Sequence, residues 1–577
     1  KCTESPVRAL QRKGLLVVST RRAQRPPTSQ PQPARQPALP LNPDQQAALS
    51  VILSALESRK HRTILVHGVT GSGKTEVYIR AIEHVIGFGR QAIVLVPEIS
   101  LTPQTLERFR RRFERVAVLH SHLSDAERHW QWQEIADGRV QVVVGARSAV
   151  FAPVPHLGLI VLDEEHEGSF KQETAPRYHA RDVALARAKM EEVPLVLGSA
   201  TPSLESWYRA QTGQYALVEM PRRVMDRPLP PVGTIDMRSD VKAGSLRGAI
   251  CRQLDRAIHE ALEQGGQVIL LLNRRGFATH IQCPACGRVV QCPNCEIALT
   301  HHRTEQIALC HYCDYQMPAP AACPHCHYAA IRYGGLGTQR LEAEVRARFP
   351  GIPCARMDSD TMQSRGAHER TLAAFRAGEV RILLGTQMIA KGLDFPNVTL
   401  VGVINADTAV HLPDFRAAER TFHLVTQVAG RTGRGPKGGL VLVQTYNPDH
   451  PAIQAATRHD YAAFAASELP IRQMFRYPPF SSMIRLVIRG PAELVAKQFA
   501  SALADRIRAV FAQANAEARV LGPAPAPFSK LRGMYRFQIQ LQGPEGDLLR
   551  LAVRQAADLK TPENVQWIAD VDPLDML

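Results

Sequence analysis

Long apolar runs are missing from this chain: no stretch approaches the roughly 18–20 residues that a membrane span needs, so no membrane association is expected. No secretory signal is visible either. The chain begins at Lys1 rather than Met, so we expect a piece of a longer protein, and the missing signal carries little weight. Acidic residues are in deficit, Asp+Glu 54 against Lys+Arg 70, which leaves a formal charge of +16 and a pI ≈ 9.5. That balance favours a polyanionic partner such as nucleic acid, although net charge alone also fits a merely soluble surface. No internal repeat is visible by residue similarity. What is present is size: 577 residues, 45% hydrophobic, room for three to four domains.

Residues 68–75 read Gly-Val-Thr-Gly-Ser-Gly-Lys-Thr, a G-x-x-x-x-G-K-[ST] pattern between an apolar strand (Ile64, Leu65, Val66) and a helix-like stretch. Strand, glycine-rich loop and helix are the context in which backbone N–H groups close around phosphates. Gly68, Gly71, Ser72 and Gly73 form the loop, Lys74 reaches the β and γ phosphates, and the Thr75 hydroxyl suits Mg²⁺. A second motif, Leu159-Ile-Val-Leu-Asp-Glu-Glu-His166, ends a buried strand in carboxylates. Asp163 is expected on the Mg²⁺, and Glu164 to orient or deprotonate the attacking water. Together they predict hydrolysis of ATP or a close relative. Further on, Gln427-Val-Ala-Gly-Arg-Thr-Gly-Arg434 places Arg431 and Arg434 three apart, suited to act as fingers on a triphosphate from a second lobe. Gly198-Ser-Ala-Thr-Pro-Ser203 offers small hydroxyl residues at a strand end, suited to relaying nucleotide state.

Eight of eleven cysteines fall in C-x-x-C pairs: Cys283/Cys286, Cys292/Cys295, Cys310/Cys313 and Cys323/Cys326. Four pairs predict two Cys₄ zinc sites rather than disulfides, with the sharing of pairs left open by spacing. Cys2, Cys251 and Cys354 read as ordinary small apolar residues. His301, His302, His311, His325 and His327 crowd the same segment and are expected to face solvent or nucleic acid rather than metal.

Along the chain, residues 5–18 read as the tail of a small domain, and 20–40 as a flexible Pro-rich linker. Short apolar strands then alternate with helices, at Thr63–Val66, Gln91–Val96, Val116–Leu119, Val140–Val144, Leu159–Leu162 and Pro194–Leu197. A second set comprises Gln267–Leu272, Arg381–Leu384, Val398–Ile404 and Gly439–Gln444. This predicts an α/β architecture of two parallel-sheet lobes, 41–225 and 226–282 with 330–458. The cysteine segment 283–329 is inserted in the second lobe, and an α+β domain, 459–577, follows without a catalytic motif.

The ordered motifs resemble the superfamily 2 helicase series, including Leu41–Gln45, Pro97-Glu-Ile-Ser-Leu-Thr-Pro-Gln104, Gly145-Ala-Arg-Ser-Ala149 and Gly385–Asp394. Leu271-Leu-Asn-Arg-Arg-Gly276 before the cysteines narrows the match, as do Ser169-Phe-Lys-Gln-Glu173 and Pro176-Arg-Tyr-His-Ala-Arg-Asp182. So do Arg476-Tyr-Pro-Pro-Phe480, Leu521-Gly-Pro-Ala-Pro525 and Tyr535-Arg-Phe-Gln538. Together these are similar to the PriA family of replication-restart helicases. The resemblance implies RecA-like lobes, a bacterial cytoplasmic and nucleoid setting, and 3′-to-5′ DNA unwinding that starts primosome assembly at stalled or repaired forks. It implies ATP, Mg²⁺ and two Zn²⁺ as cofactors. Branched and single-stranded DNA, single-stranded DNA-binding protein and primosome proteins are the implied partners of a monomeric motor.

It also implies residue roles. Gln45 would contact adenine. Arg147, Ser148, Thr386 and Lys391 would hold the DNA backbone. Phe170, Lys171, Arg177 and Tyr178 would couple DNA to the ATP site by stacking and cationic contact. The zinc sites would be nested, Cys283, Cys286, Cys323 and Cys326 on one ion and the inner four on the other. Only residues 1–19 match the end of the family's winged helix, so recognition of a 3′ end is expected to be weak or absent. Lys530, Arg532 and Arg550 of the C-terminal region read first as ordinary exposed charges. Two other classes stay open: an RNA-directed or chromatin-type ATPase that remodels without separating strands, and a zinc-organised scaffold with a vestigial ATPase.

Overall fold

A computed structural model of the chain describes residues 4–17, 34–37, 39–98, 101, 103–121, 123–224, 228–244, 248–272, 281–295, 297–302, 306–329, 331–333, 338–358, 367–386, 389, 395–432 and 438–576. The first lobe is a seven-stranded parallel sheet. Its order is Val116–Leu119, Val142–Gly145, Gln91–Leu95, Leu157–Asp163, Leu195–Ser199, Thr63–Gly68, Ala216–Met220. Strands such as Gln91–Leu95 are buried at every position, because helices cover both faces of a parallel sheet and leave no side for polar residues. The helix Pro43–Ser58 is started by Asn42, whose side chain and that of Gln45 cap each other's backbone N–H groups.

The second lobe repeats the design with six parallel strands, ordered Cys354–Met357, Ile382–Gly385, Gln267–Leu271, Val398–Val403, Leu440–Thr445, Val232–Asp236. The C-terminal sheet is antiparallel, ordered Arg519–Leu531, Met534–Gly543, Ser482–Gly490, Gln566–Val571. Helices Glu493–Gln513 and Gly546–Ala556 close its core of Leu486, Ile507, Ile539 and Leu549. The helix Tyr461–Met474, expected to open this C-terminal domain, instead packs into the lobes. Phe464 stacks on Phe422 of the second lobe at 4.7 Å, and the Tyr461 hydroxyl donates to Pro202 O of the first at 2.7 Å.

The cysteine segment is closed at its base by pairing of Ile281–Gln282 with Arg332–Tyr333, and carries a small sheet of Thr300–His302, Ile307–Leu309 and Gln316–Pro318. Its apolar residues Ile281, Leu299 and Tyr312 share one cluster with Phe415, Tyr477 and Met576, so the module is bonded to lobe and C-terminal domain alike. At Gly287 (φ +80°) a Cβ would lie 2.0 Å from the Tyr446 carbonyl, which excludes any side chain at this close approach. His311 corrects the expectation of an exposed histidine. It is 1% exposed, its Nδ1 lies 2.8 Å from Pro525 O, and Gln538 donates to its carbonyl at 2.6 Å. The ring bridges module and C-terminal domain, and burial holds it neutral, down to about 4. His325 and His327 are exposed, and His301 and His302 half-buried.

Candidate nucleotide and nucleic-acid site

The phosphate loop leaves the C-terminal edge of the strand Thr63–Gly68, the end of a parallel sheet where ligands are received. Gly71 (φ +86°) and Gly73 (φ +83°) hold its two left-handed turns, and a Cβ on Gly73 would meet Gln45 Nε2 at 2.2 Å. Lys74 Nζ donates to Gly68 O at 2.8 Å within the loop. The Ser72 hydroxyl is fully buried and, among the described residues, has no hydrogen-bond partner. An unpartnered hydroxyl, a buried ammonium and a glycine-lined cradle fit a phosphate group. Thr75 is the second residue of the helix Lys74–Gly87 that follows the loop. Gln45 is 5% exposed; it donates to Ser72 O at 3.0 Å and accepts from Asn42 N at 2.9 Å, so it braces the loop from the side.

Asp163 ends the strand Leu157–Asp163 and accepts from the Tyr78 hydroxyl at 3.3 Å. Burial and the neighbouring Glu164 carboxylate push it up to about 6. Two carboxylates so placed, only partly offset by the Lys74 ammonium, fit a divalent cation, which Asp163 and Thr75 would hold. Glu164 follows in a left-handed conformation, φ +52°, which turns it away from the strand line.

The second lobe reaches this site. A Cβ on Gly430 would lie 2.6 Å from the Thr70 methyl, so the turn carrying Arg431 lies on the phosphate loop. Arg434 lies outside the described residues. Gln427 Nε2 is 2.7 Å from His166 Nε2, and His166 Nδ1 is 2.7 Å from Ser199 Oγ. The chain Gln427–His166–Ser199 therefore joins three of the sequence motifs. Glu165 binds Ser203 N at 2.6 Å and Arg181 at 3.2 Å, which ties the 169–182 segment to the same strand end. Leu204 N donates to Glu419 at 2.9 Å, Arg472 pairs with Glu419 at 2.7 Å, and Arg416 with Glu205 at 2.7 Å. Burial alone would raise Glu419, but Arg472, His423 and Arg416 outweigh it and hold the carboxyl far below the usual range.

These cross-lobe charges were absent from the sequence reading, since each partner is distant in the chain and no spacing marks it. Arg223 was missed for the same reason: 6% exposed, it donates to Thr70 O at 3.0 Å and lies over Gly71.

The residues expected on DNA divide. Phe170 is 1% exposed within the first lobe's core, so its ring is not offered for stacking here; sequence alone does not separate a core phenylalanine from a stacking one. Lys171 is also buried, its ammonium held by the Val571 and Asp572 carbonyls and by Asp570 at 3.2 Å. It fastens the C-terminal strand to the first lobe. Arg147 donates to Ser169 O at 3.0 Å and Lys171 O at 2.6 Å, which shapes the same segment. Arg177, with Arg147, lines a cleft of about 1030 Å³ between the first lobe, the second lobe and the C-terminal sheet. Ser148 is exposed and Tyr178 half-buried. Thr386 is half-buried in the second lobe, and Lys391 lies outside the described residues.

The cysteines form two clusters, Cys283, Cys286, Cys323 and Cys326, and Cys292, Cys295, Cys310 and Cys313, with all sulfurs of each within 4.8 Å of one another. Tetrahedral Zn–S bonds of about 2.3 Å place sulfurs about 3.8 Å apart. The Sγ pairs Cys283–Cys326, Cys286–Cys323 and Cys292–Cys313 stand at 3.5, 3.8 and 3.6 Å. Both sets fit a zinc ion.

Four sequence families match segments of the chain: DEAD/DEAH box helicase over 42–209, helicase conserved C-terminal domain over 336–436, PriA DNA helicase Cys-rich region over 292–318, and primosomal protein N C-terminal domain over 473–574. The replication restart protein PriA of Bacillus subtilis is 47% identical over 539 residues, covering 93% of this chain and 66% of that protein. The protein of that name from Synechocystis is 42% identical over 583 residues, covering 99% and 69%. The chain thus spans about two thirds of the length of these relatives. Among solved structures, RecG bound to a three-way DNA junction matches at a TM-score of 0.43 and 15% identity, over 76% of this chain and 51% of that one.

Proposed function

The chain belongs to the PriA family of replication restart proteins, and on that premise we propose that it is an ATP-hydrolysing 3′-to-5′ DNA helicase acting at stalled or repaired forks. The observation that carries the reading is the seating of the second lobe on the first. Gly430 lies on Thr70 of the phosphate loop and Gln427 bonds His166 beside Glu164, so a change at the γ-phosphate alters the fit of the two lobes. In this reading Lys74 leaves the Gly68 carbonyl for the phosphates, and Glu164 positions and deprotonates the attacking water. Arg431, with Arg434, stabilises the charge that builds on the transferred group. Mg²⁺ held by Thr75 and Asp163 would neutralise phosphate charge. The eight thiolates of the two clusters, on Zn²⁺, would stiffen the module that is packed against Phe415 and Tyr477.

Branched and single-stranded DNA are the proposed substrates. Primosome proteins and single-stranded DNA-binding protein are the proposed partners, and the bacterial cytoplasm the proposed setting, all on the strength of the family. The test is ATP-dependent unwinding of a labelled fork with a duplex lagging arm. Strand release that needs ATP and disappears in Lys74→Ala is expected. DNA-stimulated hydrolysis without release points to a translocating motor instead, and neither activity to a scaffold.

A further inference from the structure

Beside the exposed Ser148 the first lobe carries a groove of about 520 Å³ whose walls are aromatic. Phe151, at the end of the 3₁₀ turn Arg147–Phe151, is 49% exposed. Trp132, on the helix Asp125–Ala136, is 38% exposed. Tyr178 stands edge-on to Phe151 with ring centroids 5.0 Å apart, and its inner side rests on the lobe's core. Large aromatics are normally taken inside, so two of them open to solvent in one groove are the unusual feature. Arg128 lies one helical turn before Trp132, on the same face, with its side chain 48% exposed. The carboxylate lining the groove, Glu98, accepts from Ser121.

The groove shares Glu98, Arg147, Ser169 and Gln172 with the larger cleft, so the two meet. On that cleft's far wall Arg489 and Arg536 stand directly opposite in the C-terminal sheet; Arg489 also donates to Gln566 at 2.6 Å, and Arg485, on the same face, is paired with Asp570 at 3.6 Å. Like charges facing each other across strands are destabilising, and an anion bound between them would relieve that cost. Aromatic rings at one end and facing guanidiniums at the other complement a single strand, with bases stacked on rings and phosphates on cations.

We propose that Trp132 and Phe151, with Tyr178, form a base-stacking pocket that holds an unpaired base of the single strand, continuous with a phosphate track on Arg485, Arg489 and Arg536. This rests on the reading of the chain as a DNA motor and adds where a base is gripped. The sequence reading named neither Trp132 nor Phe151.

The test compares fluorescence anisotropy of a labelled oligo-dT with that of a strand of equal length carrying abasic sites, at one fixed salt concentration. The unaltered chain is expected to prefer oligo-dT. Trp132→Ala and Phe151→Leu should each weaken oligo-dT binding by about tenfold, within the range of base–aromatic stacking, and leave abasic binding in place. Trp132→Phe should restore it. Thermal melting of each variant checks the fold, and Phe151→Leu keeps the apolar volume should Trp132→Ala fail to fold. Unchanged oligo-dT affinity in the folded variants, or an equal fall for both strands, overturns the pocket. An unaltered chain that binds both strands equally overturns the pocket alone, whereas one that binds neither overturns the motor reading with it.

Discussion

The two parallel-sheet lobes answer the same packing problem and differ in where their buried polar groups find partners. In the first lobe Lys74, Asp163 and Gln45 find partners at home: Lys74 on Gly68 O, Asp163 on Tyr78, Gln45 on Ser72 O. In the second, Glu419 is bonded to Leu204 of the first lobe and to Arg472 of the helix Tyr461–Met474, Arg416 to Glu205, and Gln427 to His166. The first lobe's phosphate loop is thus braced from within the lobe, while the second has buried charges that are complete only when it sits on its neighbours. On the proposed reading chemistry is localised and transmission is shared, so substitutions in the two lobes should fail differently.

The sharpest break falls on the self-contained side. Glu164→Gln should lower ATP turnover by about 10²–10⁴-fold, the range for removing a general base, while nucleotide still binds. Steady-state hydrolysis alongside equilibrium nucleotide binding reads it, and full turnover would move water activation to another group. On the shared side, Arg472→Met removes the nearest guanidinium from the buried carboxylates Glu419 and Glu468 and leaves Glu419 the Arg416 guanidinium at 3.6 Å. Removing one partner of a buried pair costs about 3–5 kcal/mol, and denaturant unfolding should show a loss of that size. Adding Glu419→Leu should recover part of it, because the stranded charge goes with it.

Much of this was legible because it is local. Ile93-Val94-Leu95 and Ile160-Val161-Leu162 announce strands covered on both faces, and the phosphate loop is one short string of residues. The strands Ala216–Met220, Cys354–Met357 and Val232–Asp236 were not foreseen. All three lie at sheet edges, where half-buried positions interrupt the apolar run. The zinc pairing was likewise open in the spacing, and the fold joins the outer pairs and the inner pairs. Phe170 and His311 failed for a different reason: an aromatic or imidazole ring is equally at home on a surface or in a core, and only the packing of distant segments chooses. The braces Arg223, Arg181 and Arg472 each meet a partner from another part of the chain, which residue spacing does not mark.

Acid should distinguish the two halves less steeply. Burial, aided by Arg181, holds His179 of the first lobe down to about 3; burial, aided by His166, holds His423 of the second down to about 4. Both pKa values lie below that of the unfolded chain, about 6.5, so the unfolded state takes up protons first as pH falls. Their contribution to stability is whole above pH 6.5 and is lost as pH drops toward 4, by up to about 1.4 kcal/mol per pH unit for each histidine. Melting temperature measured from pH 7 to 5 should fall, and His423→Asn should flatten that fall. An unchanged slope would place the acid sensitivity in the carboxylates.

The smallest effect bears most directly on the division of labour. Gln427 and His166 contribute one hydrogen bond between lobes, worth about 0.5–1.5 kcal/mol, too little to threaten folding. If that bond reports nucleotide state across the lobes, Gln427→Ala should leave hydrolysis without DNA near its starting value and lower its stimulation by single-stranded DNA several-fold. Comparing turnover with and without oligo-dT gives that ratio directly. A fall in both rates together would put Gln427 inside the chemistry, and the second lobe would then be a part of the site rather than its reader.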